Sequence, residues 1–145
     1  MRYNEIITEL FDQKADWHWE EQTNSYWNGA FALEGRIFSV SIDYVPAKQF
    51  WDLSFAMNGS TDVTGTGDEY TVFGTIKEMM LDFIEQKDPD AISFGAKKTE
   101  PSRMKLYDRM AALIEAKLGR ELTLSTYGPY KMYILRKPNV TPNPA

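Results

Sequence analysis

The 145-residue sequence lacks cysteine, has a single histidine, and contains no apolar run long enough to cross a bilayer or to act as a signal peptide. Without cysteine there is no disulfide framework and no thiolate zinc site. The lone His18 has no companion ligands for a metal. These absences predict a cytoplasmic protein with no membrane association and no metal site.

The sequence also has no excess of positively charged residues. The chain has 16 Lys and Arg against 21 Asp and Glu, a formal charge of −5. Such a balance repels a phosphate backbone, so no nucleic-acid partner is expected. What is present, 43% hydrophobic and 14% aromatic residues, fits a folded protein of one domain. We expect that domain to span residues 1–137, and the proline-rich residues 138–145 to be a disordered tail.

The first half of the chain predicts a short helix and an antiparallel meander. Apolar residues recur at helical spacing in residues 2–11. The polar and aromatic stretch "DQKADWHWEEQTNS" follows, to which no regular element is assigned. Gly35 and Arg36 then mark a tight turn between the first two of three runs with β character. Those runs are "YWNGAFALEG", "RIFSVSIDYV" and "FWDLSFAMNG".

The second half predicts helix, strand, helix and hairpin. A helix is expected from about residue 71 to 86 and a buried strand over residues 91–96. A long helix follows from Pro101, and Gly119 is well placed to end it. Two final runs flank Gly128 as a hairpin. The predicted fold class is mixed α/β around one sheet, with a parallel crossover into the strand at 91–96.

The segment "TGTGDEY" before the first long helix suggests two kinds of chemistry. Gly65 and Gly67 would let the backbone approach a phosphate at the positive end of the helix dipole. Asp68 and Glu69 would instead satisfy the free N–H groups themselves and act as an acidic cap. Both alternatives stay open at the level of sequence.

From residue 26 to 137 the order of elements resembles the later part of the GNAT (Gcn5-related N-acetyltransferase) fold. In that family the meander leads to a helix whose N-terminus holds the pyrophosphate of acetyl-CoA. A later helix begins near an Asn-x-x-Ala-x-x-Leu-Tyr motif, whose Tyr protonates the departing thiolate. Leu106 and Tyr107 match the end of that motif, whereas Glu100 and Arg103 stand at the Asn and Ala positions. More narrowly, "TGTGDEYTVF" with "SRMKLYDRM" is similar to small bacteriophage-encoded proteins with a GNAT-like fold.

This resemblance implies acetyl-CoA as the cofactor, N-acyl transfer as the activity and Tyr107 as the catalytic acid. The residues that it places along the cofactor are Thr66, Gly67, Thr71 and Gly74. A phage origin further implies a role in the host cytoplasm, with a host protein as partner. A purely structural Tyr107, packed on the apolar stripe of its helix, is the alternative.

The sequence leaves the general base and the mode of action open. Glu69, Asp43 and His18 are all candidates for the base. The alternative to an enzyme is an inactive GNAT-like protein that binds and inhibits or redirects a host protein, or a virion component. Its binding surface would be an acidic or an aromatic one, the latter made by Trp17, Trp19, Tyr26 and Trp27, unless those rings close the edge of the core.

Overall fold

The computed structural model describes residues 14–57, 69–99 and 101–138 of the chain. Within these residues the chain forms seven strands and two helices. The strands are β1 Trp17–Gln22, β2 Tyr26–Leu33, β3 Arg36–Val45, β4 Phe50–Met57, β5 Ala91–Lys97, β6 Glu121–Tyr127 and β7 Tyr130–Arg136; the helices are α1 Glu69–Lys87 and α2 Pro101–Leu118. The helix predicted over residues 2–11 and the tail from residue 139 lie outside the described residues.

The seven described strands form one sheet in the order β1-β2-β3-β4-β5-β7-β6. Strands β1 to β4 are an antiparallel meander, and β5 lies parallel to β4 after the α1 crossover. The final hairpin inserts β7 beside β5 and leaves β6 at the edge. This arrangement confirms the predicted mixed α/β fold, with its meander, its helix-strand-helix unit and its C-terminal hairpin.

The strand β1 was not expected from the sequence. It pairs antiparallel with β2, and its register shifts between Trp19 and Glu21. Trp17 and Trp19 are half-buried while His18 and Glu20 are exposed, which is the alternation of a strand with one covered face. The alternation of aromatic with polar residues in the sequence has the period of two that is typical of a strand. It ends at the bulge, so only four residues show it.

Both helices pack on the same face of the sheet, called here the helix face. Its strand residues include Phe38, Val40 and Ile42, all fully buried. Ring contacts fix the helices to it: Phe83 of α1 lies 5.1 Å from the Trp51 ring. Tyr107 of α2 lies 5.2 Å from Phe94. Residues at the intervening strand positions point to the opposite face.

The turns agree with the sequence except for small shifts. Glu34 and Gly35 both have positive φ, 51° and 75°, so they form the hairpin turn, and Arg36 already pairs with Leu33. The turn therefore lies one residue earlier than predicted, because the two positions with positive φ are the ones that match the twist of the flanking strands. Gly119 ends α2 as predicted, with φ 66°.

Gly29 of β2 provides a test of how closely α1 and β1 pack around this position. A Cβ atom at this position would lie 2.5 Å from Met79 Cε and 2.9 Å from the His18 carbonyl oxygen. Since the backbone oxygen cannot move aside, we expect Gly29→Ala to lower the free energy of unfolding by about 1–3 kcal/mol in urea denaturation. Gly95→Ala in β5 is the matched control, because its nearest neighbour, Met132 Sδ at 2.7 Å, belongs to a flexible side chain. Equal stability of the two variants would contradict this account.

Candidate functional site

The most distinctive feature of the sheet is the place where β4 and β5 separate. The two strands run parallel but pair only at Trp51↔Ile92, Asp52↔Ser93 and Leu53↔Phe94. Both strands then continue without pairing to each other, to Met57 and Lys97. A cleft of about 300 Å³ opens between them. It is lined by Asp52, Leu53, Ser54, Phe55, Gly95, Ala96, Lys97, Tyr107, Tyr130 and Met132.

Tyr107, the catalytic residue implied by the GNAT resemblance, lies in the wall of this cleft. It is only 4% exposed. Its ring packs edge-to-face on Phe73 at 5.0 Å and stacks on Phe94 at 5.2 Å. These contacts connect α1, α2 and β5 around one ring. Tyr107 therefore belongs both to the core and to the wall of the cleft, and its catalytic role stays a prediction.

A second buried tyrosine stands beside it. The ring of Tyr133 lies 5.9 Å from that of Tyr107 and is fully buried. Its hydroxyl donates a hydrogen bond to Asp108 at 2.5 Å, and burial together with this carboxylate raises the pKa of Tyr133 far above its usual range. The Tyr133 proton is thus held by Asp108. Of the two tyrosines, Tyr107 is the one that lines the cleft.

Asp52 is the residue of the site that sequence reasoning missed. It points to the opposite face of the sheet, where it accepts a hydrogen bond from the Ser93 hydroxyl at 2.7 Å. Burial raises the pKa of Asp52, and the nearby Asp43 carboxylate adds to the rise, while the Ser93 bond and Lys48 oppose it. A carboxyl group with a raised pKa in a cleft is typical of proton-transfer sites. The signal in the sequence was an aspartate inside the apolar run "FWDLSF".

The residues expected to hold the pyrophosphate lie elsewhere. Thr66 and Gly67 are outside the described residues. Thr71 and Gly74 lie in the first two turns of α1, Gly74 buried and Thr71 half-buried. The Thr71 carbonyl accepts a hydrogen bond from the Thr75 hydroxyl at 2.7 Å. Among the described residues neither Thr71 nor Gly74 is part of the cleft lining, so their role as cofactor ligands stays a prediction.

The three candidate bases, which the sequence left open, lie on three different elements of the fold. Asp43 is exposed on β3, directly opposite Asp52 in the register. His18 is exposed on β1, four strands away from β5 in the sheet order. Glu69 opens α1, and its side chain lies outside the described part of the structure. Of these three, Asp43 is the one next to a residue that lines the cleft.

The tryptophans form a chain of edge-to-face contacts that leads into the core. Trp17, Trp19 and Trp27 follow one another with ring centroids 5.5 and 5.1 Å apart, and Trp27 then meets Phe83 at 4.9 Å. The Trp19 indole N–H donates to Asp82 of α1 at 2.7 Å. The three rings therefore close the edge of the core beside β1. That is one of the two arrangements considered for the aromatic cluster.

In residues 14–57, 69–99 and 101–138 no three or more His, Asp or Glu side chains are grouped in a way that could hold a metal ion. In the same ranges no helix combines the length and the apolar character needed to cross a membrane.

Comparisons with known proteins found matches among solved structures, at low sequence identity. No protein-family model matches the chain, and no curated protein sequence matches it. Among solved structures, the N-acetyltransferase PseH of Campylobacter jejuni is similar, with 12% identity and a TM-score of 0.44 over 79% of this chain and 70% of that chain. A mutant of the spermidine N-acetyltransferase SpeG from Vibrio cholerae has 11% identity and a TM-score of 0.48, over 80% of this chain and 67% of that chain.

Similarity at this level concerns the course of the backbone and carries no information about substrate or activity. The order of elements described above, from meander through helix, strand and helix to hairpin, is the one that the GNAT resemblance implies. The chain thus has the mixed α/β arrangement that was predicted from its sequence.

Proposed function

We propose that the protein is an N-acyltransferase that moves an acyl group from an acyl-CoA to an amine. One observation carries this proposal: Asp52 and Tyr107, a carboxyl group with a raised pKa and a phenol, line the same cleft between separating parallel strands. Acyl transfer to an amine needs one group that takes a proton and another that gives one. The cleft supplies both.

The residues present are compatible with an acyl-CoA. The cleft volume of about 300 Å³ suits the narrow arm of the molecule and is too small for its nucleotide part. Thr71 and Gly74, with Thr66 and Gly67, are the residues proposed for the pyrophosphate end, near the start of α1. When bound, acyl-CoA supplies an activated thioester.

The roles of the two cleft residues follow from their chemistry. Asp52, ionised, accepts a proton from the incoming ammonium and so frees its lone pair for attack on the acyl carbon. Tyr107 donates its hydroxyl proton to the sulfur atom that leaves. Asp43, which faces Asp52 across the strands, adds negative charge that attracts a cationic amine.

The substitution Asp52→Asn distinguishes the role of Asp52 as a proton acceptor from a purely structural role. The asparagine can still accept the Ser93 bond but cannot take a proton, so we expect the transfer rate to fall about a hundredfold. In the native protein the rate should fall as the pH drops through the raised pKa of Asp52, because the protonated form is inactive. Initial rates of thiol release across pH 4–9, an approximate working range for carboxyl titration, measure both effects.

The stability of the Asp52→Asn variant is the control. Since the pKa of Asp52 is raised in the folded state, the native protein binds this proton more tightly than the unfolded chain does. The ionised carboxylate therefore lowers stability at neutral pH, and Asp52→Asn should be at least as stable as the native protein in urea. A variant that unfolds more easily, or that keeps full activity, would contradict the assignment.

Acyl-CoA binding is the direct test of the proposed function. Acetyl-CoA at about 100 times its dissociation constant should add roughly 2.7 kcal/mol of stability, which raises the melting temperature by roughly 5–10 °C in a domain of this size. Gly95→Val, whose side chain would project toward Met132 in the cleft, should abolish the shift. Thr123→Val, an exposed strand position outside the cleft, should keep it. No shift in the native protein would reject the proposal.

A binding role without catalysis is the second candidate. It is supported by the edge strand β6, on which Leu124 and Tyr127 are 54% and 66% exposed. An exposed edge with apolar side chains can accept a strand from another protein. In this case a host protein should be retained by the native chain and by Tyr107→Phe, but not by Leu124→Lys. Loss of retention in Tyr107→Phe alone would speak against it, and co-purification with particles would indicate a virion component.

A further inference from the structure

A second cavity lies at the other end of β5 from the cleft. Its volume is about 480 Å³. It is lined by Trp17, Glu78, Leu81, Asp82, Ile84, Glu85, Asp88, Lys117, Leu118, Arg120, Lys137 and Pro138. The cleft opens at the carboxyl end of β5, whereas this cavity adjoins the ends of both helices. The seven residues of β5 separate the two by roughly 20 Å.

Arg120 is the unusual group in this cavity. It follows Gly119 at the end of α2, and it is 5% exposed. Its Nη1 atom is buried and has no hydrogen-bond partner among the described residues. A buried charged donor that is left unsatisfied destabilises a fold, so such groups are rarely retained without a reason.

The neighbouring carboxylates compensate Arg120 only in part. The nearest is Asp88 at the end of α1, whose Oδ1 lies 3.6 Å from Arg120 Nη2. Asp88 is mostly exposed, and its closer contact is with Lys137 at 2.8 Å. Lys117 adds a further cation to the cavity lining. This end of the cavity therefore has more hydrogen-bond donors than acceptors to receive them.

Along α1 the lining becomes acidic. Asp82 already accepts hydrogen bonds from Trp19 and from Gln86, and Glu78 lies 3.8 Å from Lys14. Glu85, one turn before Asp88, has no ion-pair or hydrogen-bond partner in the described part of the chain. A carboxylate without a partner in the described part of the chain thus lies three residues before Asp88, the ion-pair partner of Arg120.

We propose that this cavity binds a zwitterion of the size of an α-amino acid with an apolar side chain. The ligand's carboxylate bonds to Arg120 and completes its hydrogen bonding, and its ammonium bonds to Glu85. The aliphatic part lies against Leu81 and Leu118, which line the same cavity. A doubly charged anion such as phosphate is a poorer match, because four carboxylates share the lining with three cations. The site is independent of the acyl-transfer proposal.

Three probes of the same carbon skeleton test the zwitterion directly by calorimetry on the native full-length protein. They are L-leucine, L-leucinamide, which lacks the carboxylate, and 4-methylpentanoate, which lacks the ammonium. We expect L-leucine to bind at least about tenfold more tightly than either of the others. If the amide or the acid binds as well as L-leucine, or if inorganic phosphate binds better, the proposal is wrong. The same holds if none of the probes binds.

Two variants assign the contacts. Arg120→Met should lose the preference for L-leucine over L-leucinamide, and Glu85→Gln the preference for L-leucine over 4-methylpentanoate. Arg109→Met is the matched control on the exposed side of α2 and should bind L-leucine as the native protein does. Asp88, the ion-pair partner of Arg120, is mostly exposed, so Arg120→Met leaves no buried carboxylate unpaired and should still fold. If Arg120→Met unfolds, Glu85→Gln and the three probes still decide the matter.

No acyl-CoA is present in these measurements, so their outcome does not depend on the proposed activity. Binding of L-leucine with no response to acetyl-CoA would support this site and reject acyl transfer. A response to acetyl-CoA without binding of L-leucine would support acyl transfer and reject this site.

Discussion

Replacing Tyr107 by phenylalanine is expected to lower the turnover number about a hundredfold and to leave the fold intact. The phenylalanine ring keeps the edge-to-face contact with Phe73 and the stacking with Phe94, which hold the side chain in the core. Only the hydroxyl is removed, and with it the proton for the leaving sulfur atom. Loss of a general acid typically costs between two and four orders of magnitude in rate.

The measurement is steady-state transfer from acetyl-CoA to a primary amine, with the turnover number and the Michaelis constant determined separately. A catalytic role predicts a lower turnover number with an unchanged Michaelis constant for acetyl-CoA. Tyr133→Phe is the matched control, because it removes the neighbouring hydroxyl, which is bonded to Asp108 rather than being part of the cleft lining. If Tyr107→Phe is fully active while Asp52→Asn is not, the proton reaches the sulfur atom by another route.

Of the substitutions considered, Phe83→Ala is expected to have the largest effect on stability. It should lower the free energy of unfolding by about 3–5 kcal/mol. Phe83 of α1 is fully buried against the helix face of the sheet. Its ring meets Trp27 at 4.9 Å and Trp51 at 5.1 Å, both edge-to-face. Truncation removes both ring contacts and leaves a cavity between α1, β2 and β4 that the two indoles are too rigid to fill.

Urea denaturation followed by tryptophan fluorescence measures this loss, since two of the four tryptophans contact Phe83 directly. Leu124→Ala is the control. Its side chain is 54% exposed on β6, and its truncation should change the free energy of unfolding by less than about 1 kcal/mol. A loss below about 1.5 kcal/mol for Phe83→Ala would mean that the core closes around the missing ring.

Much of the fold could be predicted from patterns that repeat within a few residues. Val72, Ile76, Met79, Met80 and Phe83 recur at helical spacing, and all five are fully buried on α1. Gly119 ends α2 because glycine, having no Cβ atom, adopts the positive φ of that position at no steric cost. The alternation along β3 likewise separates the buried Phe38, Val40 and Ile42 from the mixed face of Ile37, Ser39 and Ser41.

The candidate site was predictable only in part. A helical stripe that includes Tyr107 can be recognised from the sequence, and so can its resemblance to the GNAT motif. Asp52 was missed because its only signal, an aspartate inside an apolar strand, does not show what the carboxyl group faces. Its partner Ser93 lies 41 positions away, and only the parallel pairing of β4 with β5 brings the two together.

By itself the sequence determined the two described helices and six of the seven described strands, where α2 ends, and that no disulfide can form. Local periodicity and backbone conformation are enough for that, because they involve neighbours two to four positions apart. Only the tertiary structure decided where β4 and β5 separate, which carboxyl group faces the cleft, and how Arg120 came to be buried in a second cavity. These depend on register and packing between distant segments, and the free energy of such contacts is set by the neighbours that the fold provides.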